Sequence, residues 1–181
     1  MTGTIKAGMV ALLLLGSTGT AYASTQGTFG ATSTGSVNIN ASVPARVRIS
    51  GLTDVDLANS DPSINAAVAQ NVCVWSNTAT RGYRVTATGS GAASAFTLAN
   101  GALPAVPYTV EWSGTSGQSI GTSLTTGSVL AGQTSSATVQ DCSSGPASSA
   151  SLIVRVGSSA LQAMPAATTF TGTLTLVVAP E

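Results

Sequence analysis

From Val37 to Ile49 every odd-numbered position is apolar (Val37, Ile39, Ala41, Val43, Ala45, Val47, Ile49), and the even positions are Asn38, Asn40, Ser42, Pro44, Arg46 and Arg48. A period of two sends successive side chains to opposite faces of a strand, so this run reads as β structure with one apolar face. In a single strand it would stretch about 43 Å at ~3.3 Å per residue, roughly twice the usual length. Pro44 falls in the middle, where a proline cannot donate to a ladder. The pattern therefore predicts two strands with separate partners, over residues 36–43 and 45–49. The second would open a β domain spanning residues 44–181. The first, preceded by a polar stretch at 24–34, would form with it an N-terminal extension, residues 24–43. Such an arm has two destinations: the open sheet edge of another molecule, or a partner within its own chain.

The same period recurs at residues 70–76, 83–88, 95–98, 108–112, 137–141, 151–156 and 169–178. Turn-rich segments separate several of these, at 87–94 (ATGSGAAS), 113–118 (SGTSGQ) and 143–149 (SSGPASS). Only residues 158–164 (SSALQAM) could hold a helical turn. Many short strands with frequent turn signals predict an all-β fold, an immunoglobulin-like β-sandwich. Trp75 follows Cys73 by two positions and shares its face if that segment is a strand. In residues 169–178 (TFTGTLTLVV) the apolar face is Phe170, Gly172, Leu174, Leu176 and Val178. No later strand follows in the sequence to cover that edge, and an exposed apolar edge invites pairing.

The first residues change the compartment. Lys6, the apolar run at 7–15 and the small-x-small triplet Ala21-Tyr22-Ala23 have the order of a secretory signal peptide, residues 1–23. The run is too short to span a bilayer, and no other stretch qualifies, so the processed chain is expected to be exported without a transmembrane segment. Cleavage would also remove the only lysine. Five arginines (Arg46, Arg48, Arg81, Arg84, Arg155) and six acids (Asp54, Asp56, Asp61, Glu111, Asp141, Glu181) would remain. That balance lacks the clustered positive charge that nucleic acid requires. Cys73 and Cys142 are the whole thiol inventory. In an exported chain they are expected to form a disulfide.

These features together resemble the subunits of chaperone–usher pili, in particular archaic pilins of the spore-coat-protein-U type and the alternate-pathway fimbrial major subunits. The resemblance lies in residues 36–52 (SVNINASVPARVRISGL), QNVCVWSN with GYRVTATGSG within 70–91, LPAVPYTVEWSG at 103–114 and FTGTLTLVV at 170–178. It implies a sandwich lacking one strand, completed by donor-strand exchange. Val37, Ile39, Ala41 and Val43 would then be donor-strand side chains that enter a neighbour's groove, and Phe170, Leu174 and Leu176 would line this chain's own acceptor groove. The implied partners are neighbouring pilin subunits, a periplasmic chaperone and an outer-membrane usher. The implied location is the periplasm and then an extracellular pilus serving adhesion and biofilm formation. Spore-coat-U-like domains usually carry a cysteine where this chain has Val47, so the cysteine pattern lies between the two subfamilies.

Little in the chain suggests catalysis. There is no histidine, which removes the commonest general base and the commonest metal ligand. A Ser-x-x-Lys device fails because cleavage would leave no lysine. Asp54, Asp56 and Glu111 are the remaining carboxylates for glycoside chemistry, although Glu111 would point away from Trp112 in a strand. Asp54, Asp56, Asn59 and Asp61 offer oxygens for calcium but lack the glycine and terminal glutamate of an EF-hand. Trp75, Tyr83, Phe96, Tyr108 and Trp112 could instead form a sugar-binding face, which would make the protein a secreted carbohydrate-binding module. At strand spacing such residues more often build the core. The expectation is a non-enzymatic protein with no metal and no cofactor.

Overall fold

A computed structural model describes residues 23–181; nearly all of the expected signal peptide lies outside them. The chain divides into two units between Val43 and Pro44.

In the first unit Thr25 and Ser36 exchange both backbone hydrogen bonds, each 3.0 Å, and close a loop that holds Phe29 fully exposed. Residues 37–43 belong to no strand. The strand expected over 36–43 is therefore absent apart from Ser36. An alternating segment gains ladder bonds only where a second strand lies alongside it.

The second unit is all-β. Its elements in order are β1 (Val47–Ser50), β2 (Ala66–Ser76), β3 (Gly82–Gly89), β4 (Thr97–Leu98), β5 (Val106–Pro107), β6 (Thr109–Ser113), β7 (Thr122–Ser123), β8 (Val129–Thr134), β9 (Ala150–Val156), the short helix α1 (Ser158–Gln162) and β10 (Leu174–Pro180). One sheet has the order β1-β2-β9-β6-β7 and a second β10-β3-β8, with β4 and β5 paired apart. Every ladder is antiparallel.

The apolar faces of both main sheets enter one core. Val72, Val74, Val154 and Trp112 come from the first sheet and Tyr83 and Val85 from the second. Trp112 Nε1 donates to Tyr83 Oη at 3.3 Å, and the two rings meet edge-on with centroids 6.4 Å apart. That pair bridges the sheets and satisfies a buried indole N–H that would otherwise be costly.

The second half of β2 is buried on both faces. Val72 and Val74 face the core, while Cys73 lies with Cys142 and Ala137 under Trp75. Cys73 and Trp75 thus share a face as expected, and Cys73 is disulfide-bonded to Cys142 across a separation of 69 residues. Closing a loop of that length stabilises the fold by roughly 4 kcal/mol in the chain-entropy model.

The strand expected over 137–141 does not form. Ala137 is drawn fully into the cluster beneath Trp75, and Cys142 takes a left-handed conformation (φ 54°) to reach its partner. A segment turned in this way presents no straight edge for a ladder. Conversely, β8 carries no alternation in sequence, because the β3–β8 register shifts between Tyr83 and Val85 and Gly132 adopts φ 72°. A bulge of this kind breaks the period of two.

An open edge as candidate functional site

β1 is only four residues long, yet it is pinned at both ends by side chains. Asn77 Nδ2 donates to Pro44 O at 2.9 Å, and its Oδ1 accepts from Arg46 N at 2.6 Å. At the far end the Gln70 amide does the same for Thr53, accepting from its N–H at 2.8 Å and donating to its carbonyl at 3.1 Å. Each amide substitutes for a strand rung, with one donor and one acceptor. The outer side of β1 pairs with no strand, since β1 is an edge of its sheet.

β10 is likewise an edge, paired only with β3. β1 and β10 approach each other where the two sheets meet, without joining in a ladder. Both edge strands thus lie at the same margin of the second unit.

Below these edges the core is incompletely covered. Leu174, Leu176 and Val178 alternate inward along β10 but remain half-buried, as do Val47 and Ile49 on β1, while Thr175 and Val177 point to solvent. Phe170 is also half-buried against the core. It lies ahead of β10 in an irregular stretch held by the Ala99–Thr171 bridge (2.8 and 3.0 Å) and by Asn100 Nδ2 donating to Thr169 O at 2.7 Å. The predicted groove residues Phe170, Leu174 and Leu176 thus belong to one strip. Val47, Ile49 and Val178 join it; all three stand in phase in the sequence, but alternation alone does not mark them as part of this strip.

The predicted donor residues lie in the other unit. Val37, Ile39 and Val43 are 73%, 89% and 80% exposed, and Ala41 is exposed as well. Three large aliphatic side chains in one phase, all in water, are unusual for a soluble chain.

Three of the remaining candidates, Glu111, Asp56 and Asp61, are engaged in holding the fold. Glu111 Oε1 accepts from Arg155 Nε at 3.0 Å, and its Oε2 accepts from Gly121 N at 2.9 Å, so the carboxylate anchors a loop to β9. Asp56 caps its own turn through Ala58 N (2.8 Å). Asp61 accepts from Ser63 N (2.8 Å) and its hydroxyl (2.7 Å), and these bonds, the backbone one first, hold the Asp61 carboxyl below the usual range. Among the described residues no three or more Asp, Glu, Cys or His side chains converge to hold a metal. Tyr83, Tyr108 and Trp112 are buried, with Tyr108 stacked against Phe96 at 5.6 Å, so these aromatics form core rather than a surface platform for sugars.

The chain matches no model of a known protein family and no curated protein.

Proposed function

We propose that this chain is a structural subunit of an extracellular chaperone–usher pilus, an immunoglobulin-like β-sandwich that lacks one strand and polymerises by donor-strand complementation. The observation that carries the reading is the pair of unpaired edges, β1 and β10, side by side over a half-covered apolar strip. A strand laid along the open side of β10 would satisfy backbone groups there and cover more of Val47, Ile49, Phe170, Leu174, Leu176 and Val178. The exposed arm carrying Val37, Ile39, Ala41 and Val43 has the alternation such a strand needs. The sequence resemblance to pilus subunits points the same way.

In this reading the mechanism is folding energy. Each large aliphatic residue of the arm gains about 1.5–3 kcal/mol when it leaves water, and the acceptor gains the core it lacks. A periplasmic chaperone would supply a temporary strand, and the usher would oversee its exchange for the arm of the next subunit. Export by the leader at residues 1–23 accords with the disulfide, which persists in an oxidising compartment.

The test compares the exported chain with one lacking residues 24–43 and with Val37→Asp and Ile39→Asp, by size exclusion, electron microscopy and SDS-resistant laddering. The expected outcome is fibres from the intact chain, none from the three variants, and unchanged export. Wild-type amounts of fibre from the aspartate variants would overturn the proposal.

A further inference from the structure

Strand register gives the second unit two distinct ends. Val47 opposes Ser76, Pro180 opposes Tyr83 and Gly82 opposes Thr134, so residues 44–48, 76–84 and 179–181 gather at one end. Gly89 opposes Leu174 and Ala66 opposes Val156, which sets the other end; residues 51–53 run beside β2, and the rest of the loop, to residue 65, leads to that end. The charges sort between these ends. Arg46, Arg48, Arg81 and Arg84, four of the five arginines, lie at the first and are all exposed. The fifth, Arg155, opposes Ala67 near the second end, where its charge is paired with Glu111. Asp54, Asp56 and Asp61 stand exposed at the second end, with no lysine or arginine in that loop. Two acids temper the basic end: Glu181 accepts from Gly132 N at 2.7 Å, and Asp141 lies near enough to Arg48 to feel its charge. The basic end still outnumbers them.

The arm is joined to the basic end, and residues 24–43 contain no charged side chain. Only Pro44, Ala45 and Arg46 separate Val43 from β1. At ~3.3–3.6 Å per residue that link spans at most about 11 Å. A copy whose arm is seated in a neighbour therefore holds its basic end within roughly one Debye length of that neighbour's surface, about 8 Å at physiological salt. If the arm runs antiparallel to β10, it emerges at the neighbour's acidic end and opposite charges meet. If it runs parallel, it emerges at the basic end and arginines face arginines.

We infer that consecutive copies of this chain dock end to end, Arg46, Arg48, Arg81 and Arg84 of one against Asp54, Asp56 and Asp61 of the next. This contact selects the antiparallel seating of the arm and speeds the encounter. The inference rests on the donor-strand reading above. The arm supplies affinity without charge, and the ends supply orientation and rate, the usual division between apolar burial and electrostatic steering.

The experiment measures the rate of ladder formation by the full exported chain at low and high salt. In one variant (Asp54→Arg, Ala58→Arg, Ile64→Arg) the acidic end is made basic while Asp56 and Asp61 stay in their turns; in another (Arg46→Glu, Arg81→Glu, Arg84→Glu) the basic end is made acidic. Each variant alone is expected to assemble roughly tenfold or more slowly at low salt, with the deficit shrinking as salt rises. An equimolar mixture should recover the rate, because its unlike ends again attract. Thermal melts check that both variants fold. Folded variants that assemble at the wild-type rate, or a mixture that fails to recover, would overturn the end-to-end contact. A synthetic peptide of residues 24–43 with both termini blocked, and so uncharged, should inhibit assembly of wild type and variants alike. Failure of that peptide on the wild-type chain would instead sink the donor-strand reading itself.

Discussion

Ser149 does with one hydroxyl what a neighbouring strand would do with its backbone. The β2–β9 ladder stops at Val72, and on that side Val74 has Ser149 instead, whose Oγ accepts from Val74 N and donates to Val74 O, both at 2.8 Å. Ser135 Oγ also donates to Val74 O and accepts from Ala137 N at 3.0 Å. Ser149→Ala should therefore lower stability by about 1–3 kcal/mol, the cost of orphaning the buried Val74 N–H, since Val74 O keeps its bond from Ser135. Denaturant unfolding would measure it, and an unchanged midpoint would show the hydroxyl to be dispensable. The tyrosines give a second test. Burial raises the Tyr83 and Tyr108 phenols above their ordinary value, only partly offset at Tyr83 by the Trp112 N–H. The folded state thus holds these protons more tightly than the unfolded one. The stability is intact below the ordinary phenol pKa of about 10 and is lost as pH rises above it. Phenolate absorbance from the two should appear together with loss of circular dichroism, not before it. At this scale the sequence was opaque: nothing in a run of serines distinguishes Ser149, fully enclosed, from Ser144 a few residues earlier on the surface.

Elements were legible where one face is buried and the other wet. Leu174, Leu176 and Val178 alternate cleanly in the sequence and along β10, and the helical turn expected at 158–164 is α1. The β8 strand was hidden by its bulge, and the false strand at 137–141 was alternation without a partner. The first half of β2 was also missed, because Ala66, Ala67 and Ala69 carry too little contrast to mark a face. The same asymmetry applies to the candidate site. Its side chains could be read from apolar spacing, but the fact that β1 and β10 are both edges depends on sheet order, which no local pattern encodes. The element-scale prediction follows from that order. Glu181 N donates to Gly82 O, so along the alternating ladder the Leu176 and Val178 N–H groups face the open edge. A proline at Val178 should therefore impair laddering while leaving the β10–β3 bonds, whereas Val177→Lys, on the solvent face, should spare both. Equal loss of SDS-resistant ladders in the lysine variant would show that the exposed face of β10 is needed too.

For the molecule as a whole, the disulfide acquires a mechanical meaning. Any pull between the arm at Pro44 and the edge of β10 must pass the bond joining Cys73 to Cys142. That bond short-circuits a stretch of 69 residues, which would otherwise extend by roughly 240 Å at ~3.5 Å per residue. Oxidised, the chain under load could release only the residues outside that bracket. Reduced, it should pay out the whole length, and single-molecule stretching in the presence and absence of reductant would read the difference as a longer unfolding step. A fibre of such subunits would have its reach under tension set by redox state as much as by sequence length, with one covalent bond per link deciding how far each can yield before its neighbour must.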